Sequence, residues 1–188
     1  FPKFRAKQIY EWLYCHGVDN ADEMKNIPND FKLILKKDCV LSTLNMESKT
    51  VSQDKKTIKY LFKTLDGNFI ESVSMIDEYG RHTVCVSSQS GCNLGCDFCA
   101  TAKMGLMQNL STGEIIDQLI IIRRLSEQPI NNIVYMGMGE PFLNYDNVIQ
   151  SADILNNNKG FNISVNKITI STVGIVPKIK QFIYEKIK

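Results

Sequence analysis

The chain has 188 residues and a net charge of +2; it is 44% hydrophobic and 22% charged, ordinary proportions for a globular protein of one domain or a domain with a small appendage. No apolar run reaches the length of a membrane span, and no positively charged apolar leader opens the chain, which begins at Phe1 rather than Met. Charge this mild neither demands nor excludes a nucleic-acid partner.

The first 47 residues read as helical. Ile9, Trp12 and Leu13 recur at helical spacing on one face, and Gly17 supplies a stop. Asn26-Ile27-Pro28-Asn29-Asp30 is a turn, with Asn29 or Asp30 available to cap a helix over 31–37. Two readings stay open for this unit: a small helical packing unit, or an RNA-binding appendage. From about residue 57 the period becomes that of strands. Segments 57–65 and 68–74 are β-rich and flank Asp66-Gly67, a hairpin signal. A third strand is expected over 82–89, running straight into a cysteine-rich loop. Ser111-Thr112-Gly113-Glu114 is a capping box, and the helix it opens points Ile115, Ile116, Leu119 and Ile120 inward. A strand over 132–136, a helix over 145–156, a strand over 167–171 and a helix over 176–186 complete the pattern.

Alternating strands and helices with short links argue for a parallel sheet with helices outside it. The fold class is α/β, a partial (βα) half-barrel preceded by a small helical unit (residues 1–47) and a β-hairpin extension that opens the second unit (residues 48–188). Only about three βα units follow, so a piece incomplete at both ends is expected.

Three of the six cysteines lie in Cys92-Asn93-Leu94-Gly95-Cys96-Asp97-Phe98-Cys99, a C-x3-C-x2-C spacing without a fourth cysteine downstream. Three thiolates on one loop can wrap an iron–sulfur cluster and leave one iron open to a small chelating molecule. Structural zinc takes a closed set of four ligands instead. Clustered cysteines of this kind fit a reducing cytoplasm better than a disulfide framework. A second motif, Tyr135-Met136-Gly137-Met138-Gly139-Glu140-Pro141, falls at the carboxyl end of a strand, where ligands bind in α/β sheets. Its glycines admit close approach, and Glu140 can accept hydrogen bonds from a ligand ammonium. It lacks the third glycine of a dinucleotide fingerprint, and taken alone a Gly-rich turn is as readily structural.

Together these segments resemble the radical S-adenosylmethionine (SAM) superfamily, and more closely the adenine-C2 RNA methyltransferases of the RlmN/Cfr family. The matching stretches are Phe69-Ile70-Glu71-Ser72-Val73, Val84-Cys85-Val86-Ser87-Ser88-Gln89-Ser90-Gly91-Cys92, Cys96-Asp97-Phe98-Cys99-Ala100-Thr101, Gln108-Asn109-Leu110, Met136-Gly137-Met138-Gly139-Glu140-Pro141 and Thr169-Ile170-Ser171-Thr172. The resemblance implies that Cys92, Cys96 and Cys99 ligate a [4Fe–4S] cluster. Phe98 would flank the SAM adenine, Gly139 and Glu140 would meet its methionine end, and Ser171 would touch it from the next strand. It further implies a methylated cysteine from which a 5′-deoxyadenosyl radical takes hydrogen, addition of the carbon radical to C2 of adenine, and release of the adduct by disulfide formation with a second thiol. Cys85 matches that resolving thiol, and Glu71 the proton acceptor. The methyl-carrying position lies beyond residue 188, and none of Cys15, Cys39 or Cys85 corresponds to it. The implied partners are 23S rRNA, tRNA and an electron donor such as flavodoxin, for a cytoplasmic monomer off the membrane.

Other readings stand beside this one. A C8-specific adenosine methyltransferase of the same superfamily is one. A non-catalytic zinc-binding RNA module, using the three loop cysteines with His82 or Cys85, is another. On the residues alone, Cys15 and Cys39 are small buried apolar groups, His16 is ordinary, Glu71 is an edge-strand carboxylate, and Lys178, Lys180, Lys186 and Lys188 form a solvated helix face.

Overall fold

The computed structural model describes residues 2–185, so Lys186, Lys188 and the end expected for the last helix lie outside the described residues. Helix α1 (Phe4–Tyr10) runs into one wide π-type turn, Glu11–Cys15, and stops before Gly17. Ile9, Trp12 and Leu13 pack with Val18, Ala21, Met24 and Ile27, and with Leu35 of α2 (Asn29–Asp38), in a small core separate from the main one. Helix α2 starts earlier than its sequence suggests. Pro28 holds the cap position, where a missing N–H costs nothing, and the Asp30 carboxylate accepts the Phe31 N–H at 2.9 Å from within the first turn. Cys15 and Cys39 are exposed, not buried. Cys15 ends the wide turn and Cys39 ends α2, both where the backbone leaves the small core.

Strand β1 (Leu44–Val51) begins inside the stretch read as helical. It is followed by β2 (Thr57–Thr64), β3 (Phe69–Ile76), β4 (His82–Cys85), β5 (Gln89–Cys92) and β6 (Gly105–Asn109). Then come α3 (Thr112–Leu125), β7 (Asn132–Tyr135), α4 (Tyr145–Asn156), β8 (Ile168–Ile170) and α5 (Val176–Tyr184). The main sheet is ordered β1-β2-β3-β4-β7-β8. It is antiparallel from β1 to β4 and parallel from β4 through β7 to β8, so the hairpin extension is continuous with the half-barrel, and β3 is an interior strand rather than an edge. The strand expected over 82–89 is broken: its second part turns off to pair with β6 in a separate ribbon.

The capping box is complete at Ser111 and Glu114, and α3 lays Ile115, Ile116, Leu119 and Ile122 against Tyr60, Phe62, Ile70, Val84, Ile133 and Tyr135 of the sheet. Burial alternates along β2 and β3 accordingly. Tyr60, Phe62, Ile70, Ser72 and Ser74 face the helices, while Lys59, Leu61, Glu71 and Val73 face the less covered side. The helical unit is tied to α3 by three contacts. Arg123 donates to the Tyr14 carbonyl at 3.0 Å, Arg124 pairs with Asp19, and the buried Asp117 carboxylate accepts from the Thr43 N–H and hydroxyl. Among the described residues no helix is long and apolar enough to cross a membrane.

Candidate active site

The link between β4 and β5 is where the site is built. Gln118 is fully buried on the inward face of α3, among Ile115, Leu119 and Ile122. Its amide oxygen accepts the Ser87 N–H at 2.8 Å and the Ser72 hydroxyl at 2.7 Å, and its nitrogen donates to the Ser87 carbonyl at 3.0 Å. Ser87 in turn donates its hydroxyl to the Glu71 carbonyl and accepts the Met138 N–H at 2.9 Å. The N–H groups of Ser88 and Gln89 both reach the Met138 carbonyl, and the Gln89 side chain accepts the Glu140 N–H at 2.8 Å. Asn144 donates to the carbonyls of Ser88 and Leu110 at 2.8 and 2.7 Å. Residues 87–89 thereby hold the cysteine loop and the turn after β7 against each other.

That closeness explains the two glycines. A Cβ on Gly137 would stand 2.7 Å from both the Ser87 hydroxyl and the Val86 carbonyl oxygen. Gly139 has φ +97°, and a Cβ there would stand 2.5 Å from that of Gln89.

At the carboxyl ends of the parallel strands lies a cavity of about 390 Å³. Cys92, Cys96, Phe98 and Cys99 line one wall; Gly139, Glu140 and Ser171 line the other. The structure thus gathers seven residues singled out in the sequence. Cys92 is buried, Cys96 and Cys99 are half-buried, and all six cysteines are free thiols. The Ala102 N–H, with Thr101, favours the Cys99 thiolate and draws its pKa below the ordinary thiol value. Phe98 is 94% exposed on the loop between two of the cysteines. Among the described residues no three His, Cys, Asp or Glu side chains converge on one point as a single metal ion requires. A cubane asks for a different arrangement, each thiolate on its own iron, and three free thiols on one cavity wall fit it.

Glu140 is 4% exposed and already well used. One carboxylate oxygen accepts the Phe142 N–H at 2.9 Å and the Thr172 hydroxyl at 2.7 Å; the other accepts the Val173 N–H at 2.9 Å. It clasps the loops after β7 and β8 together. Of the roughly four lone-pair sites of a carboxylate, about one is left for a ligand ammonium.

Glu71 and Cys85 lie outside this cavity wall, on the uncovered face of the sheet. Pairing runs Lys59–Val73–Cys85–Val134–Thr169 in one row across five strands, and Glu71 sits one row nearer the cavity, opposite Leu61. Lys59 pairs with Glu71 at 2.9 Å. Burial pushes the Cys85 thiol up, partly offset by the Met136 N–H. His82 is buried away from the cavity, its ring nitrogens 2.7 Å from the Ser74 hydroxyl and 3.1 Å from the Gln128 carbonyl, so it supplies no fourth ligand to the cysteine loop.

The Radical SAM superfamily profile matches residues 86–188, and the ribosomal RNA large subunit methyltransferase N-terminal domain profile matches residues 2–41. The chain belongs to the radical SAM superfamily. It is 47% identical over 179 residues to a probable dual-specificity RNA methyltransferase RlmN of Thermotoga neapolitana, covering 95% of this chain and 52% of that one. A protein of the same name from Staphylococcus carnosus is 44% identical, covering 99% of this chain and 51% of its own. The crystal structure of a radical SAM methyltransferase from Sphaerobacter thermophilus superposes with a TM-score of 0.91 at 40% identity, over 98% of this chain and 55% of that chain. The chain spans about half the length of the curated relatives it matches.

Within this radical SAM core, sequence reasoning assigned no role to Ser87, Gln89, Gln118 or Asn144, which hold the two cavity-lining loops in register. One signal was present: Gln118 interrupts an inward-facing run of isoleucine and leucine, where a polar group survives only with partners.

Proposed function

We propose that the chain carries the cluster site, the SAM site and the resolving thiol of a radical SAM methyltransferase that methylates C2 of adenosine in 23S rRNA and tRNA. The observation that carries this reading is the single cavity with three thiols on one wall and Gly139, Glu140 and Ser171 on the other. Cys92, Cys96 and Cys99 would hold a [4Fe–4S] cluster. Bound there, with an electron donor such as flavodoxin, it supplies the electron that cleaves SAM and allows chemistry at an unactivated C–H. Gly139 lets the methionine end of SAM approach the backbone, and the remaining acceptor site of Glu140 takes its ammonium. Ser171 and Phe98 flank the rest of the molecule. On the uncovered face, Glu71 would accept a proton from the adenine adduct, and the Cys85 sulfur would attack the sulfur of the methyl-carrying cysteine, forming the disulfide as the bond from that sulfur to the transferred carbon breaks and the methylated adenine leaves.

Anaerobic reconstitution of the chain with iron and sulfide tests the cluster assignment. About one cubane per chain is expected, and Cys96→Ala should lose it, because two thiolates cannot hold the cluster; full iron and sulfide in the variant would refute the ligand set. Mass spectrometry of rRNA and tRNA from cells with and without the gene tests the reaction. Loss of 2-methyladenosine on deletion is expected; loss of 8-methyladenosine instead would move the assignment to C8.

A further inference from the structure

We infer that Phe69 and Lys63 form a stacking-and-phosphate platform for single-stranded RNA at the mouth of the cavity; this rests on the RNA reading above. The two residues are direct cross-strand partners on β3 and β2, with the Lys63 ammonium 5.8 Å from the centre of the Phe69 ring. Phe69 is 43% exposed at the first position of β3, where the ladder with β2 ends at the hairpin turn. That exposure leaves part of the ring open to solvent. Two residues along β3 is Glu71, on the same face. On the other side, the Ser90 hydroxyl donates to the Phe69 carbonyl at 2.9 Å, and Ser90 lies two residues before Cys92. The Phe69 backbone is thus tied to the strand that leads into the cysteine loop, and its side chain shares a face with the proposed proton acceptor two residues on.

Charge on this face suits a polyanion. In its paired rows, which run through Asn45, Ser48 and Thr50 of β1 to Thr169 of β8, the charged residues are Lys59, Lys63 and Glu71. Lys59 is engaged by the Glu71 carboxylate at 2.9 Å, so the row of Lys63 presents a cation that no carboxylate in these rows offsets. An aromatic face beside a cation is the pairing single-stranded nucleic acids use, stacking a base while a neighbouring phosphate is neutralised. The chemistry asks for such a platform. C2 of adenine is reached only when the base has left its helical stack, and a ring at the mouth returns part of the stacking lost.

Fluorescence anisotropy with a short labelled single-stranded adenosine-containing RNA, run on the whole 188-residue chain across a salt series, tests the platform. Phe69→Ala should weaken binding about ten-fold with an unchanged salt slope. Lys63→Gln should lower the slope of log affinity against log salt by about 0.7, one single-strand phosphate contact. Phe69→Trp should retain affinity, and its added fluorescence should be quenched by RNA as the indole stacks. RNA binding by the parent chain that is indifferent to both Phe69→Ala and Lys63→Gln overturns the platform alone. No RNA affinity in the parent chain even at low salt overturns both the platform and this chain's share of the RNA reading.

Discussion

At the scale of single residues, the site depends on groups whose surroundings leave them little freedom. Cys85 is held neutral by burial, so the folded chain binds its thiol proton more tightly than the unfolded chain does. Its contribution to stability is complete below the ordinary thiol pKa of about 8.5 and is lost as pH rises from there through the raised folded value. Urea midpoints from pH 7 upward should therefore fall more steeply for the parent chain than for Cys85→Ala, and alkylation of Cys85 at neutral pH should be slower than that of an ordinary free thiol. Gly139 and Gly174 separate two costs. Both have positive φ, +97° and +104°, but a Cβ at Gly174 meets nothing within 4 Å, whereas one at Gly139 runs into Gln89. Gly174→Ala should cost about 1–2 kcal/mol for left-handed backbone alone. Gly139→Ala should cost on the order of 3 kcal/mol or more, adding displacement of Gln89, as read by thermal melting.

Between elements, the decisive contacts join α3 to the β4–β5 link. Gln118 satisfies the Ser87 N–H and carbonyl and the Ser72 hydroxyl, all of them buried. Gln118→Leu keeps the volume and strands those groups, so a loss of about 2–4 kcal/mol is expected in urea unfolding, each orphaned buried group costing on the order of 1–3 kcal/mol. The same variant should bind SAM more weakly, because Ser87 also receives the Met138 N–H and so positions the turn that carries Gly139 and Glu140. Unchanged stability and unchanged SAM affinity together would show that the link does not depend on α3.

Across the whole molecule, two separate cores meet at Arg123 and Arg124. Arg123 stacks over Phe161 at 4.4 Å and reaches the Tyr14 carbonyl; Arg124 pairs with Asp19. Arg123→Ala removes both the stacking and the carbonyl contact. Amide hydrogen exchange should accelerate through α1 and the wide turn after it while the sheet stays protected. Uniform acceleration would mean that the two cores unfold as one.

What the sequence alone determined is what short-range chemistry determines. The C-x3-C-x2-C spacing, the Asp66-Gly67 hairpin and the Ser111–Glu114 capping box each depend on residues a few positions apart, and each is where the sequence placed it. Pairing between distant segments was decided only in three dimensions. β1 reads as Leu-Asn-Met-Glu-Ser-Lys-Thr-Val, with one buried residue in eight, so no alternation marks it as a strand; its partner β2 makes it one. The bend that sends β5 away from the sheet depends on β6, and the exposure of Cys15 and Cys39 depends on where the small core ends. Glu140 shows the difference most plainly. The sequence reading proposed its carboxylate as a ligand group, but Thr172 and Val173, which occupy much of it, come from a strand end some thirty residues away. A spacing motif records what must be near in sequence; only packing settles which distant donors a buried carboxylate meets, because desolvation makes it take partners from whatever the fold brings within reach.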